Sequence, residues 1–263
     1  MTLSFEAPKT EVEGRAASLA RRLVGGAGAA SLDAYRVGEC LEFVAHGIAE
    51  DGSLVVAAIP AGALAAAGDG VPIDVRLDVV KQAPDPAVSI VSASVHLLGE
   101  LTWVPAAEVA LGELPSSVAS LADMPGVRYG VVAVRRAVLH DLTGATVIDG
   151  DQFHYEAPSA VDGYAAFEKV AGLDQGMLKD LCWAVMVDAT PGLVVSKPAM
   201  PNVCQHMADR VFCVDVDARG LTMMLVGTEE TLLVYAAFSH PVASLPDLDA
   251  RLFDLMGAAI LAA

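Results

Sequence analysis

Apolar positions recur near the start of the chain at helical spacing. Val12, Ala16, Leu19, Ala20 and Leu23 fall on one face of a helix. Thr10 and Glu13 form a Thr-x-x-Glu capping box at its start, and Gly25 and Gly26 end it. Arg15, Arg21 and Arg22 lie off the apolar stripe, where two readings apply: contact with an anionic ligand or, ranked first, a solvated face that suits the negative end of the helix dipole.

From Ala29 to Trp103 the pattern changes to runs of strand length punctuated by turns. Strands are predicted over 29–35, 40–48 and 54–59, with Glu50-Asp51-Gly52 as a hairpin turn and Pro60 as a stop. A short helix is expected over 61–67. Two longer strands follow over 73–80 and 88–103, with Gly99 marking a bulge or a close backbone approach. Residues 106–121 read as a helical or irregular excursion, and 129–142 as the last long strand. Turn-linked strands with no helix between each pair argue for antiparallel pairing in a barrel or sandwich.

A second pattern begins near Pro158. Asp162 can cap a helix reaching about Asp188, with Phe167, Val170, Leu173, Met177, Leu178 and Leu181 as its apolar face. Pro191 to Pro201 reads as a loop. Strands over 211–216 and 221–226 flank Asp217-Ala218-Arg219-Gly220 as a hairpin, and 231–238 supplies a third strand. Ser244 and Asp247 open a final helix whose core face is Leu248, Leu252, Leu255, Met256 and Ala259. The fold class expected is therefore α+β: an antiparallel barrel over 1–157, then a small helix/three-strand/helix domain over 158–263.

Composition narrows the possible roles. Of 263 residues, 54% are apolar, enough for a substantial core, and mean hydropathy is +0.51. The uncharged stretch from Gly52 to Gly68, which Asp51 bounds, is shorter than the ~20 residues of a spanning helix and contains Pro60 and Gly62. The opening segment has no apolar signal core, so a soluble cytoplasmic protein with no membrane association is expected. The 33 acidic against 16 basic side chains leave a net charge of -17, which disfavours phosphate backbones and anionic lipid. No nucleic-acid partner is expected.

Recognisable local chemistry is sparse. Asp215 to Gly220 imitates the start of a calcium loop, but Val226 stands where the loop needs a bidentate Glu. There is no phosphate loop and no nucleophile elbow. Cys204, His206 and Cys213 have no evident fourth ligand for a structural zinc and read as ordinary thiols and a His near a strand. Of the six histidines, His154, His206 and His240 lie beside predicted loops, where an axial ligand can approach a cofactor.

The segment from Arg15 to Leu32 resembles the opening of HugZ-type heme-utilisation proteins, split β-barrels related to pyridoxamine-phosphate oxidase. Val75 to Pro84 and Val91 to Gly99 are similar to paired strands of that barrel. Val214 to Leu221, Tyr235 to Val242 and Leu248 to Leu255 are similar to the small α+β domain appended to it. One departure stands out: in Leu173-x-x-x-Met177-x-x-x-Leu181, Met177 occupies the position where the family usually has His.

The resemblance implies a split barrel, a homodimer with its cofactor cleft at the subunit interface, and heme as the small-molecule cofactor, bound for degradation or transfer. His206 and His240 lead as iron ligands, with His154 behind them. Arg76, Lys81, Arg135, Arg136 and Arg210 are the expected partners for the heme carboxylates. The alternatives are a flavin- or deazaflavin-dependent oxidoreductase of the same barrel family, using FMN or deazaflavin, and a cofactor-free dimeric interaction module. Heme ranks above FMN because no dense cluster of phosphate donors is visible.

Overall fold

The computed structural model describes residues 9–85, 88–109, 113–154, 159, 161–197, 206–228 and 230–262. The Thr10 side chain expected to cap the first helix, the 157/158 junction and Cys204 lie outside what the structure describes. Helix α1 (Lys9–Arg22) continues into a wide turn at Leu23–Ala27. Six strands then close a barrel: β1 (Ala29–Ala34), β2 (Glu39–Ile48), β3 (Leu54–Ala58), β4 (Pro72–Gln82), β5 (Val91–Val104) and β6 (Arg128–Asp141). Their order is β3-β2-β1-β4-β5-β6, every neighbour is antiparallel, and β6 pairs back onto β3 from Leu54↔Val132 to Ala58↔Arg128. Closure leaves no unpaired edge between these six strands, the arrangement by which small barrels avoid edge-to-edge association.

The barrel interior follows strand periodicity. On β5, Val95, Leu97, Leu101 and Trp103 are buried while His96, Leu98 and Glu100 point outward. Gly99 sits where the β5–β6 register shifts, and a Cβ there would come within 2.3 Å of the Ala133 carbonyl, so both readings of this glycine hold. Helix α1 packs Ala16 and Ala20, and the wide turn packs Leu23, into the same core. Short helices α2 (Gly62–Ala66) and α3 (Ser116–Ala119) cap connections, and Trp103 donates Nε1–H to the Leu64 carbonyl. Strand β7 (Gly144–Ile148), unforeseen in the sequence, adds to the outer side of β6.

The second unit has a four-stranded antiparallel sheet rather than three strands. Its order is β8 (Gly192–Ser196), β11 (Thr231–Ala237), β10 (Gly220–Val226), β9 (Arg210–Asp217). Strand β8 falls inside the stretch expected to be loop. Helices α4 (Tyr164–Ala171), α5 (Gln175–Met186) and α6 (Leu245–Ala262) cover one face and form the second core, in which Met177 packs as an ordinary apolar side chain. The single long helix expected from Asp162 is two. Asp174 caps α5 by accepting from the Gly176 and Met177 amides, and Asp162 caps nothing. At α6 the expectation holds: Asp247 accepts from the Ala243 amide while Ser244 Oγ accepts from the Asp247 amide. The other face of the sheet, through Phe212, Val214 and Met224, packs with Ala83, Ile90 and Leu142 of the barrel side. Among the described residues no helix is long and apolar enough to cross a membrane.

Candidate functional site

A cleft of about 1600 Å³ lies between the barrel and the small sheet, formed within a single chain. One wall is α1 and the wide turn after it. The opposite wall is the face of β9–β11 with the segment that follows β11. The barrel end contributes Asp141 to Thr143 and His154. Apolar surface comes from Leu19, Leu142, Val195, Val214, Leu233 and Phe238.

Of the three candidate iron ligands, His154 and His240 line this cleft, from the barrel side and the small-sheet side respectively, and His206 does not. His240 stands in a segment strapped to the β9–β10 hairpin: the Phe238 amide donates to the Arg219 carbonyl and the Val242 amide to the Ala218 carbonyl, each at 2.7 Å. Its Nδ1 lies 3.3 Å from Ser239 Oγ, which also accepts from Arg251 Nη1. With the proton on Nδ1 and donated to Ser239, Nε2 keeps its lone pair, as a metal-ligating imidazole requires. His206 sits exposed in the turn before β9, and Cys213 is buried in β9 with its thiol pushed up by burial, chiefly, and by Asp215. Among the described residues no group of three His, Cys, Asp or Glu side chains is arranged to hold a metal.

The predicted carboxylate partners fall elsewhere. Arg76 pairs with Asp78 at 2.9 Å on the barrel exterior, and Arg135 pairs with Asp74 and Glu100. Arg136 is exposed on β6, and Arg210 lies over the Phe212 ring. None of them lines the cleft. The cations that do line it, Arg15, Arg21, Arg22 and Arg219, come from α1 and the β9–β10 turn. Arg15 and Arg22 are therefore not part of a solvated face. Arg22 is nearly buried, and Arg15 stacks 3.5 Å above the Tyr235 ring while donating to Thr222 Oγ1.

Lys81 belongs to a buried charge network beneath the cleft. Arg22 binds Asp162 at 2.8 Å, pairs closely with Asp215, and donates to the Val216 carbonyl. Lys81 Nζ, 1% exposed, lies 2.7 Å from Asp215 Oδ1 and 3.8 Å from Asp162 Oδ1. That contact is an ion pair without hydrogen-bond geometry, and among the described residues Arg22 Nε also has no hydrogen-bond partner. Burial alone would raise the Asp215 carboxyl, but Arg22 and Lys81 outweigh it and hold its pKa down at about 2. Burial likewise opposes charge on Arg22, and Asp215 and Asp162 overcome it. Four chain segments meet here: the end of α1, the end of β4, the approach to α4, and β9. No local motif announces such a cluster, because its members are separated by up to 193 positions.

No protein-family model and no curated protein matches the chain. Among solved structures, it is similar to one described as a heme binding protein from Mycobacterium smegmatis, at 17% identity and a TM-score of 0.54, over 94% of this chain and 98% of that one. It also aligns with a protein of unknown function from Agrobacterium tumefaciens at 16% identity, over 97% of this chain and all of that one, but at a TM-score of 0.33 that carries no weight. The first likeness shows a shared fold.

Proposed function

We propose that this protein binds heme in the cleft between the barrel and the small sheet, with His240 or His154 as the iron donor. The observation that carries the reading is the convergence, in one cleft, of imidazoles from both halves of the chain with an apolar wall and arginines. A heme site needs an apolar slot, an axial donor and cations for two carboxylates, and the donor set here fits that need. When bound, the heme would supply iron-centred chemistry. The chain's own contribution is to hold His240 through Ser239 and the strapped hairpin, and to shield the slot from water. The heme-binding neighbour of the same fold supports the reading. Assembly as a homodimer, implied by the family resemblance, forms part of the proposal and is read by light scattering.

The test is titration of the purified protein with hemin. The expected result is a Soret shift saturating at one heme per chain. His240→Ala, His154→Ala and the double variant then assign the donor, and the double variant should lose the ligand-field signature of the wild type. Absence of a saturable shift at micromolar hemin overturns the proposal.

A further inference from the structure

Resting on the heme reading, we infer that Arg15, Arg219 and the Tyr235 hydroxyl form a clamp for a carboxylate of the bound ligand, and so orient the macrocycle in the cleft.

The clamp is built from the inside of the small sheet outward. Thr222 and Tyr235 are register partners on β10 and β11, and Gly220 is paired with Ala237 beside them. A Cβ on Gly220 would lie 2.6 Å from Tyr235 Cζ, so the ring lies directly against this glycine, next to Arg219. Arg15 reaches across from α1, stacks on the same ring at 3.5 Å, and donates one Nη2–H to Thr222 Oγ1. That bond and a second to the Tyr235 hydroxyl engage part of the guanidinium, and its fork of five donors has others to offer a ligand, while the phenol keeps its own O–H to donate. All three groups line the cleft.

The electrostatics agree with the geometry. Burial, and then Asp217, push the Tyr235 phenol up to about 12, against the opposing pull of Arg15 and Arg219. At neutral pH it is therefore protonated and can donate. The nearby acid, Asp217, is committed to its own turn, where Oδ1 accepts from the Arg219 amide at 2.6 Å and the Gly220 amide at 2.9 Å. Arg22, deeper in the cleft, is neutralised by Asp162 and Asp215 and is not part of the clamp. Stacking holds one guanidinium plane in place, and a planar fork is the group best matched to a carboxylate. Arg219 sits in the β9–β10 turn whose Ala218 and Arg219 carbonyls hold the segment carrying His240, so one arm of the clamp and one candidate iron donor are tied together by backbone hydrogen bonds.

The experiment compares hemin, hemin dimethyl ester and FMN on the wild type, Arg15→Gln, Arg219→Gln and Tyr235→Phe, with circular dichroism confirming the fold of each. Hemin should bind the wild type roughly tenfold or more tighter than its ester, as expected for charge-assisted bonds. Each arginine variant should close most of that gap by weakening hemin alone, and Tyr235→Phe should close part of it. Equal losses for hemin and ester in the variants, or no preference in the wild type, overturn the clamp while leaving the heme reading intact. Failure of both porphyrins to bind overturns both. Tight FMN binding lost in the same arginine variants assigns these groups to a phosphate and overturns the carboxylate assignment. If Arg15→Gln disturbs the fold, Arg15→Lys, which keeps charge but not the fork, takes its place and should still lower the hemin-to-ester ratio.

Discussion

Two sets of charged side chains divide this molecule. On the barrel exterior, Arg76, Arg135 and Arg36 pair with Asp33, Asp74, Asp78 and Glu100 across β1, β4, β5 and β6, and the arginines are 49% or more exposed. At the junction with the small sheet, Arg22, Lys81, Asp162 and Asp215 are all 18% exposed or less. The residue types are the same and the consequences are not. Exposed pairs exchange water contacts for weak, screened attraction. The junction ions have given up water, so each depends on the others for solvation. Only the second set ties one half of the chain to the other and shapes the cleft floor.

The largest effect should follow from breaking the buried set. Asp215→Asn leaves Arg22 and Lys81 facing a single carboxylate and should cost about 3–5 kcal/mol of unfolding free energy in urea. Replacing a whole pair, as in Lys81→Met with Asp215→Leu, should recover much of that loss, because no uncompensated charge remains. A cost below about 1 kcal/mol for Asp215→Asn, the range of exposed pairs, would erase the contrast. The sign with pH follows from the depressed carboxyl. The stabilisation is complete above the unfolded carboxylate range and is lost as pH falls from about 3.8 through about 2.

These two regions also differ in how far the sequence reveals them. The barrel strands are legible because alternation, turn glycines and prolines are local signals. The five-residue strands β7 and β8 are not: Gly-Ala-Thr-Val-Ile and Gly-Leu-Val-Val-Ser begin with glycine and are too short to show a period. The break between α4 and α5 hides because the apolar stripe resumes at Leu173 and Met177, and its marks are Gly172 at the α4 C-terminus and the Asp174 cap of α5. In the cleft, histidine next to a predicted loop was a usable signal for His154 and His240. Arg15 was legible only as one of three first-helix arginines able to meet an anionic ligand, and Arg219 carried no signal, since nothing along the chain says that α1 folds against a hairpin 207 positions away.

A glycine comparison extends the test to backbone approach. Gly220→Ala would put a methyl 2.4 Å from the Ala236 carbonyl and 2.6 Å from Tyr235 Cζ. It should cost about 1–3 kcal/mol, as overpacking does, and weaken hemin with it by shifting Tyr235. Gly14→Ala, on the same cleft but in α1 with open space around it, should instead stabilise by about 0.5–1 kcal/mol. If both substitutions prove neutral in thermal unfolding, the close packing of ring on glycine is wrong.

His46 offers a smaller effect with a definite pH window. It is 2% exposed, and Nε2 lies 2.8 Å from the Leu23 carbonyl. Burial lowers its pKa, outweighing the Leu23 and Val44 carbonyls that favour the proton. The unfolded chain therefore takes up a proton that the folded one resists. Stability is full above the unfolded value of about 6.5 and falls as pH drops below it, by at most about 1.4 kcal/mol at pH 5.5. Urea midpoints should decline between pH 7.5 and 5.5, and His46→Gln should flatten that decline. An unchanged slope in the variant would assign it to other groups.

The smallest effect should come from the exposed lattice, and it completes the contrast. Arg135 is 57% exposed and shares Asp74 with Arg36, so losing it leaves Asp74 with a partner. Arg135→Gln should change stability by no more than about 0.5–1 kcal/mol, and high salt should remove the difference. Its hemin affinity should match the wild type, because Arg135 does not line the cleft, whereas Arg15 and Arg219 do. A loss of hemin binding in Arg135→Gln with stability unchanged would relocate the ligand to the barrel exterior. It would also return the carboxylate role to the cations that sequence alone had singled out.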